Sequence, residues 1–218
     1  MPQQFDLLIF DWDGTLADSA GLIARSIQQA CADLDVPVPS DERARYVIGL
    51  GLDDAMAHLV PELPVSDYRR LADRYRTHYF ASDAQVPLFE GAREALVELR
   101  AQGFRLAVAT GKTRRGLDRA LLNLGVVNCF DATRCADETA SKPDPTMLFE
   151  LFAELGVGPA RSLMIGDTTH DLQMARAAGV AAIAVAYGAH PKPALIEAGP
   201  LTCVDRFSDL QRWLTQHA

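Results

Sequence analysis

Five short apolar runs, each bounded by glycine, aspartate or threonine, constrain the fold of this chain more than any other feature. They lie at Leu7–Phe10, Leu106–Thr110, Leu163–Ile165, Val180–Val185 and Leu201–Val204. Continuous apolar runs of this length are typical of strands that are buried on both faces of a sheet. Helical periodicities lie between them, such as Ala92, Ala95, Leu96 and Leu99. This alternation predicts an α/β fold with a parallel sheet covered by helices, and active residues at the carboxyl ends of the strands.

The interval between the first two runs is far longer than the fold requires. A βαβ unit usually needs about 30 residues, whereas the first two runs start nearly a hundred residues apart. Residues from about 18 to 83 carry helical patterns and no convincing buried strand. We therefore expect an inserted all-helical domain over residues 18–83, which forms a lid on a core domain built from residues 1–17 and 84–218.

The composition is that of an ordinary acidic globular protein. Among 218 residues, 21 basic and 29 acidic side chains give a net charge of −8. This charge argues against a nucleic acid or an anionic membrane as the main partner, so a small-molecule substrate is the leading expectation. The amino terminus has no signal or membrane-spanning pattern, and the four cysteines show no metal-binding spacing. We expect a cytoplasmic protein, with monomer and homodimer both left open.

The first apolar run ends in Phe10-Asp11-Trp12-Asp13-Gly14-Thr15-Leu16, which places two carboxylates at a strand end. Where the strand enters its loop Asp13 can swing aside, so that one carboxylate faces a substrate while the other works beside it. The backbone N–H groups of Gly14 and Thr15 can bind an anion. The alternative is a polar turn in which the carboxylates cap local backbone. A calcium loop of the EF-hand type is excluded, because Leu16 stands where that loop needs glycine.

A second acidic motif, Gly166-Asp167-Thr168-Thr169-His170-Asp171, follows another apolar run. If a helix begins near Thr168, Asp167 lies at its entrance and Asp171 about one turn along, so both can approach one cation. Carboxylates that converge without a cation repel one another, so convergence with the first motif implies Mg²⁺. The alternative is a helix N-cap followed by a first-turn acid.

Two other residues near expected strand ends supply hydrogen-bonding and positive groups. Thr110 ends the second apolar run, and Lys142 opens a turn before a helix. Only three lysines, at positions 112, 142 and 192, accompany 18 arginines. A compact ammonium group suits a transferring phosphoryl group, although a solvated surface lysine is the ordinary alternative for Lys142.

Taken in this order, the motifs resemble those of the haloacid dehalogenase superfamily over about residues 5 to 190. The first acidic motif matches the family's first motif, Thr110 its second, Lys142 its third and the second acidic motif its fourth. The resemblance implies a Rossmann-like three-layer core with strand order 5-4-1-2-3 and a helical cap inserted after the first motif. Dehalogenases lack the second aspartate, so Asp13 indicates a phosphotransfer enzyme.

Within this superfamily the chain looks most like phosphoglycolate phosphatases and related small-phosphomonoester phosphatases. The resemblance rests on the residues from Asp13 to Ser19 and on the cap loop Val47-Ile48-Gly49-Leu50-Gly51. Phosphoglycolate phosphatases often have asparagine where this chain has Gly111. The absence of lysine before Gly111 excludes the Schiff-base route of phosphonoacetaldehyde hydrolases.

The resemblance implies a role for each motif residue. Asp11 would attack phosphorus, and Asp13 would act as general acid and then general base. The other implied roles are Mg²⁺ binding by Asp11, the Asp13 backbone carbonyl and Asp167, with Asp171 as a direct ligand or one that acts through water; phosphate binding by Thr110 and Lys142; and substrate contacts by Gly14, Thr15, Gly49, Gly111 and Lys112. Lys112 could pair with a carboxylate of the substrate, and a solvated lysine is the alternative.

The leading hypothesis is a Mg²⁺-dependent phosphatase that acts on a small phosphorylated metabolite, phosphoglycolate-like in kind. A sugar-phosphate or nucleotide phosphatase and a phosphoglucomutase-like phosphotransferase are alternatives from the same superfamily. A binding protein on a decayed enzyme fold is the alternative from another class. The chain does not identify the natural substrate, because cap loops determine it through their shape.

Overall fold

The structure, a computed structural model that describes residues 4–217, is built on one parallel sheet of six strands. The strands are β1 (Leu7–Phe10), β2 (Arg105–Thr110), β3 (Ala132–Cys135), β4 (Ser162–Gly166), β5 (Ala181–Val185) and β6 (Thr202–Val204). Their order across the sheet is β3-β2-β1-β4-β5-β6, and every neighbouring pair is parallel. The predicted α/β fold is confirmed: the expected five-strand order is present, and β6 extends it at one edge.

Strand β3 was the one strand that the apolar runs did not indicate. Its sequence is Ala132-Thr133-Arg134-Cys135, and only its first and last residues are buried. It lies at the edge of the sheet, where one side of the strand has no partner and polar side chains reach solvent. A strand in that position needs no continuous apolar run.

Ten α-helices accompany the sheet in the described part of the chain. They are α1 (Ala20–Asp33), α2 (Asp41–Tyr46), α3 (Leu52–Leu59), α4 (Val65–Phe80), α5 (Ala92–Ala101), α6 (Arg114–Leu124), α7 (Thr146–Leu155), α8 (Thr169–Ala177), α9 (Lys192–Glu197) and α10 (Phe207–His217). Among residues 4–217, none of them is long and apolar enough to cross a membrane.

Alternation along β1 divides the apolar interior into two layers. Leu8 and Phe10 join a cluster on one face of the sheet together with residues of α5, α6 and α10. Leu7 and Ile9 join a second cluster on the other face, with residues of α7, α8 and α9. Because successive residues of a strand point to opposite faces, a four-residue strand that is wholly buried must have helices on both sides.

Helices α1 to α4 have a third apolar cluster of their own, which includes Ile23, Ile27, Met56 and Leu71. The chain enters this helical segment beside the place where it leaves, since the Asp18 N–H donates to the carbonyl of Pro87 at 3.0 Å. The domain boundaries at residues 17/18 and 83/84 stay a prediction. The segment lies after β1, so it is attached close to the carboxyl edge of the sheet.

Candidate active site

The carboxyl edge of the sheet brings three buried aspartates together. Strands β1 and β4 are neighbours, with Phe10 in register with Ile165, so Asp11 and Asp167 follow adjacent strand ends. Asp171 joins them from the first turn of α8. One carboxylate oxygen from each of the three lies within 4.8 Å of the others. Each of these aspartates is at most 1% exposed, so the cluster is shielded from bulk water.

Lys142 is the cation that faces this cluster. Its Nζ lies 2.5 Å from Asp11 Oδ1 and 2.6 Å from Asp171 Oδ1, and the side chain is completely buried. We call Asp11, Lys142, Asp167 and Asp171 the carboxylate site. One ammonium faces three carboxylates there, so the side chains alone do not balance the charge when all are ionised.

This imbalance displaces the pKa values of the site. Burial raises the pKa of Asp11 to about 7, opposed by Lys142 and reinforced by Asp171 and Asp13. Burial likewise raises the pKa of Asp167 well above its usual range, and the charges of Asp11 and Asp171 add to the effect. Burial alone would lower the pKa of Lys142, but Asp11 and Asp171 raise it above the ordinary value, so the lysine stays charged.

The residues present fit a divalent cation. Oδ2 of Asp11 is buried and has no hydrogen-bond partner among the described residues. A buried carboxylate oxygen without a partner is costly, and carboxylate oxygens are the ligands that Mg²⁺ prefers. A divalent cation at this position would offset both the lone oxygen and the excess negative charge of the cluster.

Local hydrogen bonds fix the orientation of Asp167. The Thr15 hydroxyl donates to Oδ1 at 2.8 Å, and the Ala189 N–H donates to Oδ2 at 2.7 Å. Gly14 and Gly188 pack so closely on this carboxylate that a Cβ at either position would collide with it. Gly14 also has a φ of +88°, which favours glycine.

Asp171 has a structural role as well as a place in the cluster. Its Oδ2 accepts the Thr168 N–H at 3.0 Å and the Thr168 hydroxyl at 2.7 Å, while Oδ1 accepts from Lys142. Thr168 is the N-cap of α8, so Asp171 completes a capping box. Asp171 therefore both caps helix α8 and belongs to the aspartate cluster, so the two alternatives from the sequence hold together.

The Asp13 carboxylate is held by residues outside the cluster of three aspartates. Lys112 Nζ lies 2.9 Å from each of its carboxylate oxygens, and the Ser19 hydroxyl donates to Oδ1 at 2.7 Å. Lys112 also contacts the Tyr79 hydroxyl of α4 at 3.0 Å. Burial alone would lower the pKa of Lys112, but Asp13 and the neighbouring tyrosines raise it, so this lysine too is charged.

Asp13, Gly49, Gly111 and Lys112 all line a cavity of about 600 Å³ between the sheet edge and the helical segment. We call it the side cavity. Thr110 lies at the end of β2 and is buried, and its hydroxyl accepts the Lys112 N–H at 3.2 Å. The structure therefore brings together one carboxylate site and, beside it, one cavity onto which the Asp13 carboxylate faces.

The position of the Gly14 amide requires a correction. The sequence predicts that the Gly14 N–H binds an anion, but in the structure this N–H donates to the carbonyl of Ala17 at 2.9 Å. This hydrogen bond lies within the tight turn after β1, so the N–H is already paired. Gly14 and Thr15 instead meet Asp167, one by close packing and the other by its hydroxyl.

Three contacts hold residues 46–54 against the sheet edge. The carbonyl of Tyr46 accepts from Nε2 of His170 at 2.7 Å and from Nε2 of His190 at 2.9 Å. The Ser141 hydroxyl donates to Asp54 Oδ2 at 2.9 Å. Burial lowers the pKa of His190 to about 4, and its Nδ1 accepts the Thr169 N–H, so the ring is neutral with the proton on Nε2.

Sequence reasoning missed several residues of the site. Gly188 and Ala189 lie in the loop that follows β5, three and four residues after its end, and the rule that active residues lie near strand ends could have indicated them. Tyr79 belongs to a helical apolar pattern that predicts core packing, so no local signal marked its contact with Lys112. Ser19 belongs to the stretch from Asp13 to Ser19 that carries the family resemblance, but nothing in that stretch indicated that its hydroxyl contacts Asp13.

A doubly wound parallel sheet with three carboxylates and a lysine at its carboxyl edge defines a class of α/β enzymes. The chain belongs to the haloacid dehalogenase-like hydrolase family, which matches residues 8–185. The resemblance predicted from the four motifs is confirmed, and so is the expectation of an enzyme.

Relatives of known name cover nearly the whole chain. The chain is 38% identical to "Probable phosphatase IndB" of Dickeya dadantii, over 94% of this chain and 91% of that protein. It is 30% identical to a phosphoglycolate phosphatase of Mannheimia succiniciproducens, over 96% and 98% of the two chains. The crystal structure of a predicted phosphoglycolate phosphatase from Haemophilus somnus superposes with a TM-score of 0.85 at 26% identity, covering 97% and 99%.

Proposed function

We propose that this protein is a Mg²⁺-dependent phosphatase that hydrolyses a small phosphomonoester through an aspartyl-phosphate intermediate. The observation that carries the proposal is the carboxylate site: three clustered buried aspartates, two of which contact a charged lysine, with one Asp11 oxygen left without a partner among the described residues. The phosphatase names of the relatives support it. The helical segment over residues 18–83 would act as the cap, and the remainder as the core.

The metal ligands would be Asp11, Asp167 and Asp171, with the Asp13 backbone carbonyl as a further expected ligand. Bound Mg²⁺ would neutralise negative charge that otherwise opposes the approach of a phosphate dianion. Lys142, buried and charged, would add a second positive group on the same side. Thr110, at the adjacent strand end, would hydrogen-bond a phosphoryl oxygen.

Chemistry would begin at the Asp11 carboxylate, one oxygen of which would bind the cation while the other attacks phosphorus. The ester P–O bond would break, and the phosphoryl group would be transferred to Asp11. Asp13, protonated in the complex with substrate, would donate that proton to the departing alkoxide, and its position on the wall of the side cavity suits that role. Asp13 then takes a proton from water, which attacks phosphorus and releases inorganic phosphate and the free Asp11 carboxylate.

The test is a screen of phosphorylated metabolites with the purified protein, first stripped with EDTA and then supplied with Mg²⁺. The panel contains phosphoglycolate, hexose phosphates, nucleotides and amino-sugar phosphates. We expect Mg²⁺-dependent release of inorganic phosphate from at least one member. An isomerised sugar phosphate without released phosphate would favour the phosphotransferase alternative, and a wild-type protein as inactive as Asp11→Asn would favour the binding-protein alternative.

A further inference from the structure

The side cavity is much larger than a two-carbon leaving group requires. Its volume of about 600 Å³ lies in the range of sites that enclose a whole small molecule. Apolar side chains from three helices line it, among them Ile27 of α1, Met56 of α3 and Tyr75 of α4. The cavity therefore offers a ring-sized apolar volume beside the carboxylate of Asp13.

The charged groups around this cavity are mainly acidic. Among the described residues that line it, the carboxylates are Asp13, Asp53, Asp54 and Asp137, and the cations are Arg76 and Lys112. Both cations are already paired: Lys112 holds both oxygens of Asp13, and Arg76 lies 2.6 Å from Asp73. The lining thus has an excess of negative charge and offers no cation that lacks a carboxylate partner.

A leaving group with its own carboxylate would fit this lining poorly. Such a carboxylate would lose its water shell, and it would have to compete with Asp13 for Lys112, the one largely buried cation among the described residues of this lining. The four acidic residues would also repel it. A neutral alcohol meets neither cost, and its apolar part gains free energy from burial against the helices.

One wall of the side cavity is aromatic. The rings of Tyr75 and Tyr79 stack with centroids 5.7 Å apart, and Phe80 meets Tyr79 edge to face at 5.9 Å. Lys112 Nζ lies 4.8 Å from the centre of the Tyr79 ring and 2.9 Å from both oxygens of Asp13, so the aromatic wall is next to Asp13. Aromatic walls favour planar or cyclic apolar groups by stacking and edge contacts.

We propose that the preferred substrate is the phosphate ester of a neutral alcohol that carries a ring, and that carboxylated esters such as phosphoglycolate are poor substrates. This proposal rests on the proposed function, since it names the substrate class of the same site. The phosphate would meet the carboxylate site, and the ring would enter the side cavity past Asp13.

Four alkyl phosphates test it with the full-length wild-type protein and Mg²⁺: benzyl phosphate, 4-carboxybenzyl phosphate, ethyl phosphate and phosphoglycolate. All four release an alkoxide oxygen, so the comparison reports mainly on the leaving group's ring and charge. We expect kcat/KM for benzyl phosphate to exceed that for each of the other three by at least about tenfold, the effect of about 1.4 kcal/mol.

The outcomes separate the two proposals. If phosphate is released from members of the metabolite panel but phosphoglycolate or 4-carboxybenzyl phosphate matches or exceeds benzyl phosphate, the substrate class is wrong and the phosphatase assignment stands. Failure of benzyl phosphate to exceed ethyl phosphate would remove the ring from the proposal. Release of no phosphate from any ester would overturn the phosphatase function, and the substrate class with it.

A charge variant sharpens the result. Asp53 lies in the first turn of α3 and lines the side cavity, whereas Asp67 lies in the first turn of α4 and does not line it. Asp53→Asn should reduce the preference for benzyl over 4-carboxybenzyl phosphate by about threefold. The matched control Asp67→Asn should keep the wild-type ratio. An unchanged ratio in Asp53→Asn would mean that acidic groups of the cavity do not discriminate against the carboxylate.

Discussion

The carboxylate site and the side cavity lie next to each other but differ in the residues and elements that form them. The first consists of buried ionisable groups that follow strands or lie near the start of helices, and Lys142 contacts two of its three aspartates. The second is mostly apolar and takes its walls from helices α1, α3 and α4 as well as from the sheet edge. Asp13 belongs to the boundary, since it follows β1 yet faces the cavity. Under the proposed function, the sheet would provide the chemistry and the helical segment would provide the selectivity.

The most direct test of the chemistry proposed for the carboxylate site is to remove the nucleophile. Asp11→Asn keeps the shape of the side chain but loses the attacking carboxylate, so we expect kcat to fall by roughly 10⁴-fold or more. Release of inorganic phosphate measures the loss, and circular dichroism checks that the fold is retained. Turnover within tenfold of the wild type would remove Asp11 from this role.

Lys142 tests whether the cation of the carboxylate site acts on the phosphoryl group. Lys142→Met should lower kcat/KM by about 10² to 10³, because the site loses a charged group that faces the reacting oxygens. It should also lower the stability of the EDTA-treated protein, since Asp11 and Asp171 would then lie buried without their cation.

A matched control is Lys192→Met. Lys192 pairs with Asp205 on the surface at 2.6 Å and lies outside both regions. We expect its kcat/KM to stay within about twofold of the wild type, as for most surface substitutions. Equal losses in the two variants would mean that general charge, rather than the place of Lys142 in the site, explains the effect.

The two regions also differ in how far the sequence predicts them. Asp11, Thr110 and Asp167 each come directly at or after an apolar run, and the carboxyl ends of neighbouring parallel strands must meet at one edge. Their proximity therefore follows from strand order, which the motifs indicated. Tyr79 reaches Lys112 only through the packing of α4 on the core, a contact between residues 33 positions apart. No local pattern encodes such a contact. The edge strand β3 was not predicted for a related reason, because its position at the edge of the sheet, rather than its composition, makes it a strand.

The boundary between the regions can be tested at Lys112. Lys112→Met removes the cation that holds both oxygens of Asp13, so we expect kcat/KM to fall by about 10-fold to 100-fold. Tyr79→Phe removes only the hydroxyl contact to Lys112 and leaves the ion pair, so a fall of about twofold to fivefold is expected. If Tyr79→Phe costs as much as Lys112→Met, the helical segment participates in the chemistry itself and the division between the regions fails.

The contact between the cap loop and the sheet edge can be sharpened with a pair of glycines. A Cβ at Gly111 would lie 2.5 Å from the carbonyl oxygen of Gly49, whereas a Cβ at Gly158 would meet nothing within 4 Å. Gly111→Ala should destabilise the protein by about 1 to 3 kcal/mol, since the loop must move. Gly158→Ala should leave stability unchanged or raise it by about 0.4 to 1 kcal/mol. Equal melting temperatures would place the loop away from Gly111 in solution.

The smallest expected effect concerns protons and the metal at the carboxylate site. The pKa of Asp11 is raised from its ordinary value to about 7 in the metal-free protein, so Asp11 holds a proton in the folded state at pH 6 and has lost it at pH 8. A metal ligand must be deprotonated, so Mg²⁺ binding at pH 6 competes with that proton and weakens by about tenfold, or about 1.4 kcal/mol. The rise in melting temperature caused by a fixed, subsaturating Mg²⁺ concentration should therefore be larger at pH 8 than at pH 6. Scanning calorimetry of wild type and Asp11→Asn measures this difference, and the variant, whose amide does not titrate, should show a smaller dependence on pH. A larger rise at pH 6 than at pH 8 would place the metal away from Asp11 and would contradict the proposed role of the cation at the carboxylate site.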